Sequence, residues 1–261
     1  DQDIEPTILH IKKKNLLINL LDRYASFKMQ PILGYEIEFY LLDEEKVVQL
    51  AEKFGNNFIC ERGNKQYEVR QGPFDNLSMF IESIENTRNI LLNYGAYLAP
   101  KPFIDDYGNG MHLHFSLLDT TTKQNLFENA QINHFAASGI CSHIEQTLYI
   151  LLPTAEDYLR FEAKFKAPTH ICYGPNNRSA AVRIPDSSPK RLEYRLCSNN
   201  TDPYLAVFSL LKSALIGITN KCSKYRAIFG NAYDPQYALQ KLPANALLAK
   251  KDFKQEFFLQ L

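Results

Sequence analysis

The stretch from Gly34 to Phe39 reads Gly-Tyr-Glu-Ile-Glu-Phe, so that apolar and acidic side chains alternate without interruption. Successive side chains of a β-strand point to opposite faces of the sheet. A strand here buries the aromatic and aliphatic side chains and presents Glu36 and Glu38 together on its other face. The stretch therefore predicts a half-buried strand that carries two neighbouring carboxylates.

Four further segments alternate in the same way: residues 66–70, 111–117, 181–184 and 191–196. A solvated sheet face is simply polar, and Thr, Lys, Gln and Ser would serve on it. Glu, His and Arg dominate the second face here, which indicates a functional surface instead. Its members outside the first strand are Glu68, Arg70, His112, His114, Ser116, Arg183, Arg191, Glu193 and Arg195.

Helical spacing of apolar residues marks the segments that separate these strands. The sequence shows no internal repeat and no linker rich in Gly, Ser or Pro. Strands and helices in mixed order predict an α+β fold, with helices packed on one face of a curved, mostly antiparallel sheet. We expect residues 1–261 to form a single domain. The predicted helices cover residues 5–28, 47–54, 80–94, 129–151 and 203–218.

The charge and cysteine content exclude several classes of protein. Lys plus Arg and Asp plus Glu both number 29, so no overall field would attract nucleic acid or an anionic membrane. The longest apolar run, residues 208–218, is too short to span a bilayer. The 5 cysteines contain no C-x-x-C pair, which excludes a zinc ribbon and disfavours a disulfide scaffold. We expect a cytoplasmic protein without nucleic-acid or membrane partners.

The predicted polar face needs cations. Four glutamates and a histidine in one cleft would repel one another unless positive charges lay between them. Oxygen-rich sites with one or two imidazoles suit Mg²⁺ or Mn²⁺. Clustered arginines bind phosphate or carboxylate groups in bidentate fashion. Metal together with arginine suggests a nucleoside triphosphate.

Five signatures within residues 32–218 resemble, in order, those of the glutamine synthetase catalytic domain. The resemblance implies the fold of that domain and an ATP- and Mg²⁺- or Mn²⁺-dependent ligase. In this family ATP phosphorylates a carboxylate, usually the γ-carboxyl of glutamate, and ammonia or an amine then attacks the acyl phosphate. The signatures lie at residues 34–39, 108–116, 177–179 with 182–185, 191–195 and 202–205.

The resemblance also implies a role for each matching position. It implies that the metal nearer the substrate is bound by Glu38, Glu68 and Asp75, and the metal on the nucleotide phosphates by Glu36, His112 and Glu193. It implies nucleotide contacts from Ser116, Arg178, Arg183, Lys190 and Arg191, and substrate contacts from Arg160, Arg195 and Gly108. The implied catalytic residues are Arg178, Arg195 and Lys166.

Three residues depart from the family pattern. Asp75 stands where the family usually has Glu, which keeps the charge but shortens the side chain. Lys166 stands where the family has a flap glutamate that shields the acyl phosphate and helps to deprotonate ammonium, and Tyr107 replaces a substrate-contacting Asn. The family's small amino-terminal domain is also not recognised, so its ring assembly is not expected, although a homo-oligomer stays open. The alternatives to a ligase are a degenerate nucleotide- and metal-binding protein and a guanidino phosphotransferase. The signatures at 111–114 and 177–179 argue against the phosphotransferase.

Overall fold

One mixed sheet carries the polar face. A computed structural model describes the backbone of residues 4–259 and the side chains of residues 12–259, so the predicted domain extends beyond the described residues at both ends. Within that part of the chain the strands are β1 (Met29–Tyr40), β2 (Phe58–Cys60), β3 (Gln66–Phe74), β4 (Met111–Asp119), β5 (Tyr173–Pro175), β6 (Val182–Ile184) and β7 (Leu192–Tyr194). Their order is β2-β3-β1-β4-β7-β6-β5, and only the pair β5–β6 is parallel.

The helices cover the apolar face of this sheet. Tyr35, Ile37 and Phe39 of β1 are almost fully buried, as the alternating pattern predicts. They belong to one large core that also includes the apolar sides of the helices. The helices are α1 (Ile4–Ser26), α2 (Glu44–Phe54), α3 (Leu77–Asn93), α4 (Ala130–Leu151), α5 (Pro203–Thr219), α6 (Ala246–Asp252) and α7 (Gln255–Leu259).

The five predicted strands and five predicted helices are confirmed, with shifted ends. The short strands β2 and β5 were not predicted. Three residues are too few to show an alternating pattern. Strand β2 pairs with the longer β3, and β5 pairs with β6, which is equally short. In residues 4–259 the helices include none with an apolar stretch long enough to cross a membrane.

Helices α4 and α5 approach each other at a pair of glycines. A Cβ atom built on Gly139 would lie 2.4 Å from the Cα atom of Gly217, a distance that backbone atoms cannot tolerate. We expect Gly139→Ala to lower the free energy of unfolding by about 1–3 kcal/mol through overpacking, despite the better helix propensity of Ala. Urea denaturation measures this. The exposed Gln131→Ala on the same helix should change stability by less than about 0.5 kcal/mol, and an equal effect of both variants would contradict the packing argument.

Candidate active site

The sheet register places the charged side chains in rows across five strands. Glu36 of β1 lies between its cross-strand neighbours on β3 and β4, so that three strands contribute to one row. Side chains directly opposite one another in a sheet are close enough to interact. The cross-strand pairs on this face are Glu36 with Arg70, Glu38 with Glu68, Glu36 with His112, His114 with Glu193, and Arg183 with Glu193.

Two groups of possible metal ligands share His112. One comprises Glu36, His112 and Glu193, the other Glu38, Glu68 and His112, and in each group the ligand atoms lie within 4.8 Å of one another. Nδ1 of His112 is 3.2 Å from Oε2 of Glu36 and 3.8 Å from Oε1 of Glu193. We refer to the cavity around these five residues as the central cleft. Carboxylate oxygens with a single imidazole fit Mg²⁺ or Mn²⁺.

The carboxylates of the central cleft have unequal proton affinities. Burial, together with the neighbouring charges of Glu36 and Glu38, holds the pKa of Glu68 well above its usual range. Burial acts on Glu36 in the same direction, but the hydrogen bonds with His112 and His114 and the charges of these histidines together outweigh it and hold its pKa well below the usual range. A cation between Glu38 and Glu68 would therefore relieve a repulsion that is present in the bare protein.

Glu193 connects the central cleft to the arginines. Nε of Arg195 lies 3.0 Å from Oε1 of Glu193, and Arg183 pairs with the other carboxylate oxygen. Burial raises the pKa of Glu193, but the charges of Arg195, His112 and His114 together outweigh burial, and the net pKa is lowered. Glu193 is thus held ionised between two guanidinium groups and a histidine.

Arg160 is a buried cation that also lines the central cleft. Its Nη2 donates to the carbonyl oxygens of Arg195 and Cys197, each at 3.1 Å. Its Nε has no hydrogen-bond partner within residues 12–259, and burial lowers the pKa of Arg160 to about 10. A buried donor without a partner suits an anionic group of a ligand. Gly108 packs on Arg160, and a Cβ there would lie 2.5 Å from the Cβ of Arg160.

The structure does not bring Asp75 to the other carboxylates. Strand β3 continues through Phe74, and Asp75 lies seven residues beyond Glu68, or roughly 20 Å along an extended strand. It lines a separate pocket beside Gln30. Glu61, which precedes β3, lines the central cleft instead, and burial together with the charge of Glu38 raises its pKa. Sequence reasoning missed Glu61 because it lies in a turn, where no alternation assigns it to a face.

Isosteric variants test whether Glu61, instead of Asp75, contributes to the metal site. We expect Glu61→Gln to weaken Mn²⁺ binding by about tenfold, because it removes a negative charge next to Glu38. Asp75→Asn should change the affinity by less than about twofold, since Asp75 lies outside the central cleft. Titration calorimetry with Mn²⁺ measures both. Weaker binding in Asp75→Asn with unchanged binding in Glu61→Gln would restore Asp75 as the ligand.

A largely apolar groove adjoins the central cleft. Its volume is about 460 Å³, and Glu36 and Arg70 line both cavities. Ser116 and Arg191 line the groove, where Nε of Arg191 donates to Nδ1 of His114 at 3.1 Å. Lys190 is next to Arg191 in sequence, but its Nζ donates to the carbonyl oxygen of Asp186 at 3.2 Å. The structure thus brings two of the predicted nucleotide contacts to one groove.

Arg70 connects the groove to both groups of carboxylates. Its Nε lies 3.2 Å from Oε1 of Glu36 and also contacts Glu68. The sequence placed Arg70 on the polar face without a role. In the bare protein its guanidinium group supplies the positive charge that the neighbouring carboxylates require.

The remaining predicted residues line another part of the central cleft. Lys166 and Arg178 are exposed side chains on its wall, and Tyr107 lies beside them. The ring of Tyr107 packs against that of Phe165, with centroids 5.3 Å apart. Lys166 has a left-handed backbone conformation, with a φ of 57°, at the end of the 3₁₀ turn Ala163–Phe165.

Comparisons with known proteins agree on one family. The family model for the glutamine synthetase catalytic domain matches residues 87–260. The glutamine synthetase of Sulfolobus acidocaldarius is 34% identical over 161 residues, which are 56% of this chain and 34% of that protein. The glutamine synthetase of Mycobacterium tuberculosis is 30% identical over 239 residues, or 78% of this chain and 49% of that protein. The chain thus spans between a third and a half of the length of these relatives.

Solved structures share the fold. A complex of GmaS with ADP superposes with a TM-score of 0.78 at 22% sequence identity, covering 95% of this chain and 69% of that one. A novel glutamine synthase homolog gives a TM-score of 0.74 at 24% identity, covering 95% of this chain and 68% of that one. The match of the family model to most of the chain, on a fold that gathers the expected carboxylates, shows that this protein belongs to the glutamine synthetase family.

Proposed function

We propose that the protein is an ATP- and Mg²⁺- or Mn²⁺-dependent carboxylate–amine ligase. It activates a carboxylate, by family resemblance the γ-carboxyl of glutamate, as an acyl phosphate and transfers the acyl group to ammonia or an amine. The observation that carries this proposal is the pair of ligand groups around His112, which lies between an apolar groove and a wall of arginines. The family match supports the same reaction.

The groove suits the nucleotide. Its apolar lining accommodates a base, and Ser116 and Arg191 supply polar contacts. The groove meets the central cleft at Glu36 and Arg70, so a nucleotide lying in it would direct its phosphates toward the carboxylates. Arg183 on the wall of the central cleft, which is paired with Glu193, would bind phosphate oxygens.

The donor sets also suit divalent ions. Glu36, His112 and Glu193 would hold one ion, and Glu38 and Glu68, with Glu61 nearby, would hold another. When bound, such ions neutralise phosphate oxygens and align the reacting groups for in-line transfer.

Protein side chains then bind the carboxylate and stabilise the charge that develops. The unpaired Nε of Arg160, together with Arg195, would grip a carboxylate of the substrate. The oxygen of the reacting carboxylate attacks the γ-phosphorus of ATP, and ADP leaves. Arg178 on the cleft wall would stabilise the charge of the transferred phosphoryl group. Attack by the amine on the acyl carbon then gives the amide and releases phosphate.

Hydroxylamine tests this chemistry, because it traps an acyl phosphate without requiring the native amine. With glutamate, hydroxylamine and Mg²⁺- or Mn²⁺-ATP, we expect γ-glutamyl hydroxamate and ADP in equal amounts. Omission of glutamate is the control and should abolish both. Metal-dependent ADP binding without hydroxamate would favour the degenerate binding protein, whereas a phosphorylated guanidine formed from an added guanidino compound would favour the phosphotransferase.

A further inference from the structure

A second pocket shares one wall with the central cleft. We define this side pocket by Lys164, Lys166, Arg178, Asn176, Asn231 and Tyr233, which line it. Lys166 and Arg178 line both the side pocket and the central cleft. A molecule that reacts in the central cleft can therefore extend past these two side chains into the side pocket.

All of the charged residues that line the side pocket are cations. Lys164 is paired with Glu162, its Nζ lying 3.2 Å from Oε2. Within residues 12–259, no carboxylate oxygen lies within 4.0 Å of the charged nitrogens of Lys166 or Arg178. The amide groups of Asn176 and Asn231 and the phenol of Tyr233 complete the lining. Two unpaired cations, with no carboxylate in the lining, make a site for an anion.

Local contacts hold this lining in place. The hydroxyl of Tyr233 donates to the carbonyl oxygen of Ala167, one residue after Lys166, at 2.7 Å. On the opposite side, Oδ1 of Asn177 accepts hydrogen bonds from the backbone nitrogen and the hydroxyl of Ser179, at 3.0 Å and 2.6 Å. The two cations therefore project from turns that are tied to the rest of the fold.

The carboxylates of the active site lie in the central cleft and outside the side pocket. The five glutamates that line the central cleft are Glu36, Glu38, Glu61, Glu68 and Glu193. None of them lines the side pocket. A free ammonium ion is attracted to negative charge, so this pocket would repel it, whereas an amine that carries an anionic group would be retained.

We propose that the side pocket binds the anionic group of the acceptor amine, so that the acceptor is an amino acid or another amine bearing a carboxylate or phosphate. This inference rests on the proposed ligase function and names its second substrate by chemical class. Lys166 and Arg178 are the residues that select the anion.

The same charges assist the reaction. Nearby cations lower the pKa of an ammonium group, so the bound amine releases its proton to solvent without a carboxylate base. The lone pair of the neutral amine then forms a C–N bond with the acyl carbon, and the bond from that carbon to the phosphate oxygen breaks. One amine proton leaves with the phosphate, so acyl phosphate and amine yield amide and hydrogen phosphate.

Matched pairs of acceptors test the proposal. Propylamine and β-alanine share a three-carbon chain and differ in the carboxylate, and ethanolamine and O-phosphoethanolamine differ in the phosphate. Amide products are identified by mass spectrometry and kcat/KM is measured from ADP release. We expect the anionic member of at least one pair to be preferred by about tenfold or more. The pair with the larger preference identifies the anion as carboxylate or phosphate.

Two variants test whether the side pocket causes the preference for the anionic amine. Lys166→Gln should reduce it by about tenfold, chiefly through a higher KM for the anionic amine. Lys251→Gln, at an exposed lysine on α6 that lines neither the central cleft nor the side pocket, is the control and should change the preference by less than about twofold.

Two results would overturn the inference. One is equal use of the charged and uncharged amines by the unaltered protein, and the other is a preference that survives in Lys166→Gln. The hydroxylamine reaction needs no anionic acceptor and separates this failure from that of the ligase. Hydroxamate formation together with a preference for uncharged amines would reject the side pocket alone, whereas no hydroxamate would reject the ligase on which it depends.

Discussion

Glu193→Gln is expected to weaken Mg²⁺-dependent ADP binding by at least about a hundredfold. The residue is only 3% exposed and lies beside His112, with Arg183 and Arg195 on its carboxylate. Glutamine keeps the volume but removes the charge, so that two guanidinium groups are left to repel a divalent ion. Calorimetric titration of ADP with and without Mg²⁺ measures the effect.

A second variant separates loss of the metal site from loss of the fold. Glu36→Gln alters the same ligand group from β1, where the carboxylate contacts His112, His114 and Arg70 instead of Arg183 and Arg195. Both variants should lose Mg²⁺-dependent ADP binding, and circular dichroism should show that they remain folded. Glu82→Gln, an exposed carboxylate on α3, is the control and should bind ADP normally. Undiminished ADP affinity in both cleft variants would contradict the metal assignment.

The alternating strands could be predicted because a period of two assigns each side chain to a face. Glu36, Glu38, His112 and Glu193 come together in the structure for that reason. Asp75 was assigned from the family resemblance and not from alternation, and its position depends on how far β3 continues beyond the Gly72-Pro73 pair. Alternation specifies a face but not the length of a strand, and a carboxylate in a turn has no predicted face at all.

The periodicity of the sequence could not predict the side pocket. Its lining comes from residues 163–179 and 230–233, which are mostly irregular segments separated by more than 50 positions of chain. Only the folded chain brings Tyr233 to Ala167 and sets Lys166 and Arg178 on a shared wall. The sequence showed that Lys166 departs from the family pattern. That its charge is unpaired could not be predicted, because this depends on the positions of all the carboxylates in the fold.

Lys166→Glu is expected to increase ammonia-dependent amide formation by roughly a hundredfold, the lower end of what a positioned general base contributes. The change places a carboxylate on the wall of the central cleft, where it can attract ammonium and accept its proton. The same change removes a cation from the side pocket, so use of β-alanine should fall. Amide products formed from ammonia and from β-alanine in competition measure both effects at once.

The neutral variant Lys166→Gln separates the two contributions. Loss of the positive charge alone should weaken the selection of anionic amines without supplying a base, so the ammonia rate should stay far below that of Lys166→Glu. The pH dependence adds a further distinction, because the unaltered protein has only the small free-base fraction of ammonia to use and its ammonia rate should rise steadily with pH. A carboxylate at position 166 would capture the abundant ammonium form and flatten that rise. An unchanged ammonia rate and pH profile in Lys166→Glu would remove Lys166 from the mechanism, because a base and a cation at one position cannot be equivalent if that side chain meets the amine.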